Sequence, residues 1–304
     1  MRVAVVGAGV IGVTSAFAVK SAFPNYDVKI FADAFSPDTT GDGSAGLWTP
    51  FLLGDTPVED ITRWAGNTYQ WFEQLWKAGL SSKTGVSLLP VTYVTSDYKG
   101  DVEPIWVKFV YGFQKLSNER LQRLNEEHKS NYNGLGAREL VADETMMPIR
   151  GQVYRVKAPW AMHIFLVDDD ACNYIIPKYT ILIMHICIIF LHSIHSVVIG
   201  GTHQEGDFDR SVREKDSKHI YDGCCRIMPS LKGSEIIRAW VGLRPGRPRV
   251  RLECESLSSS MGKEFKVIHN YGHGGSGVTL CWGCAMDVVE MIKNLKVPEL
   301  NSKL

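Results

Sequence analysis

Met1-Arg2-Val3-Ala4-Val5-Val6-Gly7-Ala8-Gly9-Val10-Ile11-Gly12 is an apolar run that breaks into glycines and leads into a helical pattern. Val3 to Val6 read as a buried parallel strand, and Gly7, Gly9 and Gly12 fit G-x-G-x-x-G at the turn into a helix over Val13 to Lys20. Glycine here lets the backbone approach a pyrophosphate, which then sits on free N–H groups and about half a positive charge at the helix N-terminus. A second apolar run, Val28 to Ala32, leads to Asp33, about 20 residues beyond the glycines, where an acid can accept from a ribose hydroxyl. The order strand, glycines, helix, strand, acid predicts dinucleotide binding. The competing reading is a glycine turn that serves packing alone.

The 304 residues carry 33 Lys plus Arg against 33 Asp plus Glu. That balance, without a long run of like charge, argues against nucleic acid and for a small-molecule partner. A hydrophobic content of 45% describes a globular chain with room for one large domain or two interlocked ones. The 7 cysteines fit a reducing compartment. Cys281 and Cys284 form C-x-x-C inside an apolar helical pattern and lack a second pair, so metal or redox chemistry is not expected there. The opening run is too short and too broken by glycine for a signal peptide. Ser302-Lys303-Leu304 is the tripeptide that the peroxisomal import receptor reads, so the peroxisomal matrix is expected, with the cytoplasm as a further location.

Ala34 to Pro50 is rich in glycine and hydroxyls. By itself it is a solvated loop; beside the nucleotide motif it offers hydroxyls and backbone N–H groups to a second phosphate and a bulky ring system. The glycine motif, Ala32-Asp33, Thr39-Thr40 and Ala45-Gly46-Leu47-Trp48 together resemble the D-amino-acid oxidase and D-aspartate oxidase family of flavoproteins. The resemblance implies FAD as cofactor, held by Gly7, Ala8, Gly9, Val10, Ile11, Gly12, Asp33, Thr39, Thr40, Ala45, Gly46 and Leu47. His269 to Thr279, followed by an apolar helix over Leu280 to Leu295, resembles the family's closing flavin loop. It adds Gly272, Gly274, Gly275, Ser276, Gly277, Val278 and Thr279. A glycine-rich nest at a helix N-terminus offers donors where negative charge gathers on a reduced flavin. His273 within it reads as a structural residue before it reads as a general base.

Trp240 to Pro248 resembles the family's Gly-x-Arg-Pro-x-Arg-Pro, whose first arginine clamps the substrate α-carboxylate. That places Arg244 on the carboxylate, a task suited to the planar, five-donor guanidinium. Arg247 and Arg251 are expected as structural or surface charges. Asn173-Tyr174-Ile175-Ile176-Pro177 resembles the Tyr-Ile-x-Pro element whose tyrosine hydroxyl binds the same carboxylate; taken alone, Tyr174 is a strand aromatic. Ser276 completes the implied substrate set. The substrate is then a D-amino acid whose hydride passes to the flavin with no side chain as catalyst. Products are a 2-oxo acid, ammonia and, from O2, hydrogen peroxide. Gly242-Leu243-Arg244-Pro245, Thr39 to Asp42 and Thr202-His203-Gln204 look closer to the D-aspartate branch, and Lys218 offers a charge for a second carboxylate. D-Aspartate and D-glutamate are therefore expected ahead of neutral substrates. His203 stands where some D-aspartate oxidases carry arginine, and Asp170 where the neutral oxidases carry a lid tyrosine.

Ile61, Trp64, Tyr69, Phe72, Leu75 and Trp76 recur at helical spacing between Asp60 and Leu80 and predict a packed helix. Strands are expected within Val86 to Thr95, over Gln152 to Val156 and over Val197 to Gln204, with helices over Asn118 to His128 and around Gly223 to Arg226. At Ser130-Asn131-Tyr132-Asn133 the resemblance jumps past a strand, a helix and a strand returning to the nucleotide domain, then resumes at Gly134 to Arg138. Loss of a central strand removes ladder hydrogen bonds and a buried face together. Lys178 to His195 sits where the family has a tight turn. About 20 apolar residues suffice to span a bilayer, which Tyr179 to Ile199 would permit. His185, His192 and His195 interrupt that run, its flanks read as soluble enzyme, and no carboxylate or cysteine joins the histidines at a ligand-like spacing. Translated non-coding sequence is the expected origin of the insert.

The expected fold is α/β. A Rossmann-like FAD-binding domain is built from 1–150 and 236–304, with some substrate-domain elements within 56–130. A mixed-sheet substrate domain spans 151–235, with an internal deletion near Asn131 and an insert at 178–195. Two rivals stand beside it: an NAD dehydrogenase, which leaves Tyr271 to Thr279 without a task, and a truncated product unable to hold FAD. Oligomeric state is not legible.

Overall fold

A computed structural model describes residues 1–95, 103–114, 143, 145–168, 172–178, 196–259 and 262–295. Asn131, Asp170, the helix expected over Asn118 to His128, residues 179–195 and Ser302 to Leu304 lie outside the described residues. Among those described, no helix is long and apolar enough to cross a membrane.

The opening unit is strand β1 (Arg2–Val6), helix α1 (Val10–Ala22) and strand β2 (Asp27–Phe31). β1 and β2 run parallel in register from Arg2 beside Asp27 to Val6 beside Phe31. α1 starts earlier than its apolar period suggests, because Gly9 caps it and the glycine motif lies partly inside the helix. Helix α2 (Val58–Lys77) carries Glu59 and Asp60 in its first turn and Lys77 in its last, which suits the helix dipole. A short turn, α3 (Ser81–Thr84), leads to strand β3 (Val91–Thr95).

The middle of the chain supplies strands β4 (Met147–Lys157), β5 (Ile164–Asp168), β6 (Tyr174–Lys178), β7 (Ser196–Gly200) and β8 (Gln204–Glu205), and helix α4 (Glu214–Ile227). The last third gives strands β9 (Ile236–Gly246), β10 (Arg251–Ser258) and β11 (Glu264–Tyr271), and helix α5 (Gly277–Asn294). Seven strands form one sheet in the order β3-β5-β6-β7-β4, with β8 continuing beside β4 and β9 on the other edge of β4. Only β3 and β5 pair in parallel there, so the sheet is mixed. β4 crosses the expected domain boundary at 150/151 as one unbroken strand. β9, placed by sequence in the FAD domain, pairs with nearly the whole length of β4.

α4 covers one face of this sheet. Ile220 and Cys224 of α4 pack with Tyr154, Val156, Ile175, Val197 and Ile199 in a common core. Burial of a Val, Leu or Ile side chain contributes roughly 1.5 to 3 kcal/mol, so this cluster is the main tie between helix and sheet. On the same face lies a fully buried Arg150, paired with Asp216 at 2.7 Å.

α1, α2 and α5 form a second core. Gly283 of α5 lets α2 come so near that an added Cβ would overlap the Trp64 backbone. The Trp64 indole donates to Asp287 at 2.8 Å, and Arg63 reaches the same carboxylate at 2.6 Å. Burial pushes the Cys281 thiol up to about 12 and that of Cys284 well above its usual value, so both act as apolar core groups.

Candidate cofactor cradle and substrate clamp

Two helices begin at one place. A Cβ on Gly277 of α5 would sit 3.4 Å from Val10 of α1, and one turn further on the Thr14 hydroxyl reaches the Cys281 carbonyl at 3.4 Å. This constant offset makes the helices parallel, with both positive ends together. Parallel dipoles repel, and an anion at their shared end relieves that repulsion. Gly9 caps α1 without a side-chain hydrogen bond, and the first turn of α1 holds no acid to fill the role. A Cβ on Gly9 would meet nothing within 4 Å, so the space beside the first turn is open. Gly7, at φ 107°, turns the chain out of β1, and a Cβ on Gly12 would overlap the Gly7 carbonyl. Only glycine meets both demands. Asp33 is exposed just beyond β2, open to a hydroxyl partner.

The closing loop presses against residues 49–53. Ser276 Oγ accepts from the Phe51 N–H and donates to the Phe51 carbonyl, each at 2.6 Å. Thr279 Oγ1 treats Thr49 the same way, at 3.1 and 2.8 Å. Gly274, at φ 51°, has room for no Cβ beside the Leu52 carbonyl. The Ser276 hydroxyl, expected on the substrate, is thus occupied in clasping the two loops, and the residue is fully buried. Thr39 behaves similarly: its hydroxyl donates to Asp42 at 2.6 Å in a capping box, and Thr40 reaches the Leu243 carbonyl at 3.5 Å. These threonines shape the loop through their side chains, leaving backbone groups to face a ligand. His273 is 1% exposed, burial pushes it down to about 3, and its Nε2 has no hydrogen-bond partner among the described residues. A neutral imidazole with an unmet polar atom, in the loop beside the paired helix ends, fits a bound polar cofactor.

Arg244 and Tyr174 come together on the face of the large sheet opposite α4. The Arg244 guanidinium lies over Gly151, where a Cβ would sit 2.5 Å from one of its nitrogens, and Nη1 donates to the Thr202 carbonyl at 3.0 Å. The Tyr174 ring and hydroxyl lie over Gly200 and Gly201, on the same face as the Arg244 guanidinium. Burial raises the Tyr174 pKa and the positive charge of Arg244 opposes the rise, so the group stays a phenol and a donor. Strand glycines are unusual and mark a close approach. Here they form a floor without side chains beneath both donors. His203 is 2% exposed, with its ring centroid 5.2 Å from that of Phe51. Burial, helped by Arg244, pushes it down to about 2, so it stands neutral beside the clamp.

Lys218 is not part of this group. Its ammonium pairs with Asp222 at 2.6 Å with the side chain 77% exposed, while Asp216, Ile220 and Gly223 form the buried face of α4. α4 bonds to Gln152 and Tyr154 through Ser217, and strand alternation puts these on the opposite face from Gly151 and Arg244. Lys218→Ala is therefore expected to leave the D-aspartate to D-alanine ratio of kcat/KM unchanged within about twofold. A tenfold fall would return the lysine to the substrate.

Arg247, the second arginine of the motif, serves Asp143. That carboxylate accepts from Arg247 Nε and the Tyr271 hydroxyl, each at 2.9 Å, and from the Thr145 hydroxyl at 2.5 Å. Burial alone would raise its pKa; the bonds from Thr145, Arg247 and Tyr271 outweigh that and hold it well below the usual carboxylate range. A depressed folded pKa adds stability above the unfolded value, about 4, and the gain disappears as pH falls toward the folded value. Asp143→Asn is expected to cost ~1–2 kcal/mol at pH 7 and to flatten the loss of stability below about pH 4. Urea midpoints across that range are the measurement.

The family described as DAO, FAD dependent oxidoreductase, matches over residues 2–134 and 131–291. The chain belongs to this DAO family. It is 31% identical to human D-aspartate oxidase over 354 residues, covering 100% of this chain and 99% of that one. The D-amino acid oxidase of Dugesia ryukyuensis is also 31% identical, over 344 residues, covering 97% and 98%. Among solved structures, glycine oxidase from Bacillus cereus superposes with a TM-score of 0.65 at 16% identity, covering 98% of each chain, and shares the fold. As a DAO family member the chain is an FAD-dependent oxidoreductase, with FAD as its cofactor.

Proposed function

We propose that this chain oxidatively deaminates D-amino acids, with Arg244 and Tyr174 as the carboxylate clamp. The observation that carries the reading is that the Arg244 guanidinium and the Tyr174 hydroxyl lie together over a floor of strand glycines. Arg244 offers a planar fork to the carboxylate, and Tyr174 adds a neutral donor. The glycines leave space for the substrate backbone, and the clasp of Ser276 and Thr279 holds the loops that exclude water. FAD, when bound, accepts the hydride from the substrate Cα and passes two electrons to O2, giving hydrogen peroxide. The protein contributes orientation and electrostatics.

Likeness to human D-aspartate oxidase supports acidic substrates. The second reading, neutral D-amino acids, is favoured by the uncharged His203 and by the position of Lys218, neither of which offers a cation to a second carboxylate. A junction near Asn131 is supported by the family match, which falls into two pieces meeting at 131–134. The alignment with the human enzyme also runs to 354 positions against 304 residues, so 354 − 304 = 50 positions have no counterpart here.

A flavin spectrum of the purified chain, followed by peroxide release on D-aspartate, D-glutamate and D-alanine, tests the proposal. Bound flavin with peroxide supports it, and the ratio among the three substrates decides between the readings. Flavin-free protein that releases no peroxide after FAD addition would overturn it for this chain.

A further inference from the structure

Along one edge β4 is paired by two strands in succession, and they are out of step. β7 meets it with Gly200 beside Val153, and β8 with Gln204 beside Arg150. The step along β4 is 153 − 150 = 3 positions, while the step along the partner chain is 204 − 200 = 4. Residues 201–203 thus hold one residue more than the ladder can pair, which makes the connection a β-bulge. Bulges gather beside active sites, where the extra residue re-aims a group that a regular strand would point elsewhere.

The bulge lies opposite Gln152. That residue is 0% exposed, so its backbone N–H cannot turn to water and needs a partner within the protein. The partner is a side chain in place of a strand carbonyl: the Thr202 hydroxyl accepts from the Gln152 N–H at 2.8 Å, in a residue that is itself 3% exposed. The Thr202 carbonyl meanwhile accepts from Arg244 Nη1 at 3.0 Å. One residue therefore grips the strand beneath the clamp with its side chain and the guanidinium of the clamp with its backbone. Beside it, the Gly201 N–H donates to the Cys172 carbonyl at 3.0 Å, which ties the bulge to the chain that leads into β6.

Arg244 has need of such an anchor. Gly151 lies beneath its guanidinium, and Gly242 stands next to Gly151 in the ladder of β4 and β9, so the floor offers no side chain to prop it. We infer that Thr202 is the positioning residue of the clamp: its hydroxyl, seated on the Gln152 N–H, fixes the carbonyl that orients the Arg244 guanidinium for a substrate carboxylate. The inference rests on the proposed function. Thr202 acts through geometry alone and exchanges neither protons nor electrons with the substrate.

The test is a series at position 202 in the full chain loaded with FAD. kcat and KM are measured on whichever of D-aspartate, D-glutamate and D-alanine the parent oxidises best. Thr202→Val keeps the shape and loses the acceptor, Thr202→Ser keeps the acceptor, and Thr202→Ala leaves room for a water to take its place. A misplacement of about 1 Å can cost on the order of 100-fold, and a hold on the carboxylate shared by ground and transition states appears in KM. The expected result is a fall in kcat/KM of about 10- to 100-fold in Thr202→Val, carried by KM, with serine within about threefold of the parent and alanine between the two. Flavin affinity should be the same throughout. Because the effect runs through the guanidinium, Thr202→Val should cost less than about twofold in an Arg244→Met background, where independent effects would multiply. Thr202→Ala takes the same place in the cycle if the valine variant does not fold. Unchanged kcat/KM in an active series, serine as poor as valine, or a full loss that persists without Arg244 would each overturn the positioning role while leaving the proposed function standing. A parent chain that releases no peroxide from any of the three substrates would overturn the proposed function and the positioning role with it.

Discussion

Replacing Arg244 by methionine is expected to lower kcat/KM for a D-amino acid by ~30- to ~4,000-fold. Removing one partner of a desolvated, hydrogen-bonded charge pair costs about 2 to 5 kcal/mol, and each 1.4 kcal/mol is tenfold. Much of that cost is the substrate carboxylate left unpaired over the Gly151 floor. Arg244→Lys keeps a charge and loses the fork, so an intermediate loss is expected. Flavin affinity should be unchanged in both variants, because the guanidinium bonds to the Thr202 carbonyl and, among the described residues, to no part of the helix-end cradle. Steady-state kinetics beside a flavin titration is the measurement. Loss of flavin in step with activity would show that the arginine holds the fold of the site and not the substrate.

Arg150→Met is expected to destabilise the chain by ~3–5 kcal/mol with the clamp residues untouched. Arg150 is fully buried. Its Nε donates to the Asp209 carbonyl at 2.7 Å, Nη1 to Asp216 at 2.7 Å and to Gln204, and Nη2 to Gln152 at 3.0 Å and the Ser211 carbonyl at 2.6 Å. One side chain thus fastens β8, the 207–213 connection and the first turn of α4 to β4. Methionine fills most of the volume and leaves Asp216 buried with only Gln204 beside it, which donates at 2.9 Å. Arg150→Met with Asp216→Asn should recover part of the loss, since the uncompensated carboxylate carries much of it. Urea unfolding of the four proteins in this cycle decides. A single-variant loss under about 1 kcal/mol would mean the loop has other support.

The opening strand, turn and helix were legible because each demands a residue type that few other structures need: β-branched residues in β1, glycine where a Cβ would overlap the Gly7 carbonyl, and an apolar α1 face. The motifs around Arg244 and Tyr174 were also legible, and the structure places the two side chains on one face of the sheet, over the strand glycines. The face on which Lys218 lies was not legible, because a charge in a helical pattern does not reveal it. Asp216, Ile220 and Gly223 fix that face only once their burial is known. Arg150 gave no signal, since an arginine in an alternating strand resembles a surface charge, and its Asp216 partner lies 66 residues away. Ser276 is the same problem at longer range, its hydroxyl engaged by Phe51 from 225 residues off. The expected boundary at 150/151 falls where composition does not change and where the ladder of β4 and β9 runs straight through.

The contact of Thr14 with Cys281, 267 residues apart, also sets an order of events in the cell. α1 is made well before α5, the helix that covers it. At roughly 5 to 20 residues per second, the first strand and helix wait about 15 to 50 s for their partner. During that wait the side of α1 that meets α5 has no native surface to bury, so the growing chain is a client for chaperones until α5 is released. Slower translation late in the message should therefore lower soluble yield more than the same delay placed early.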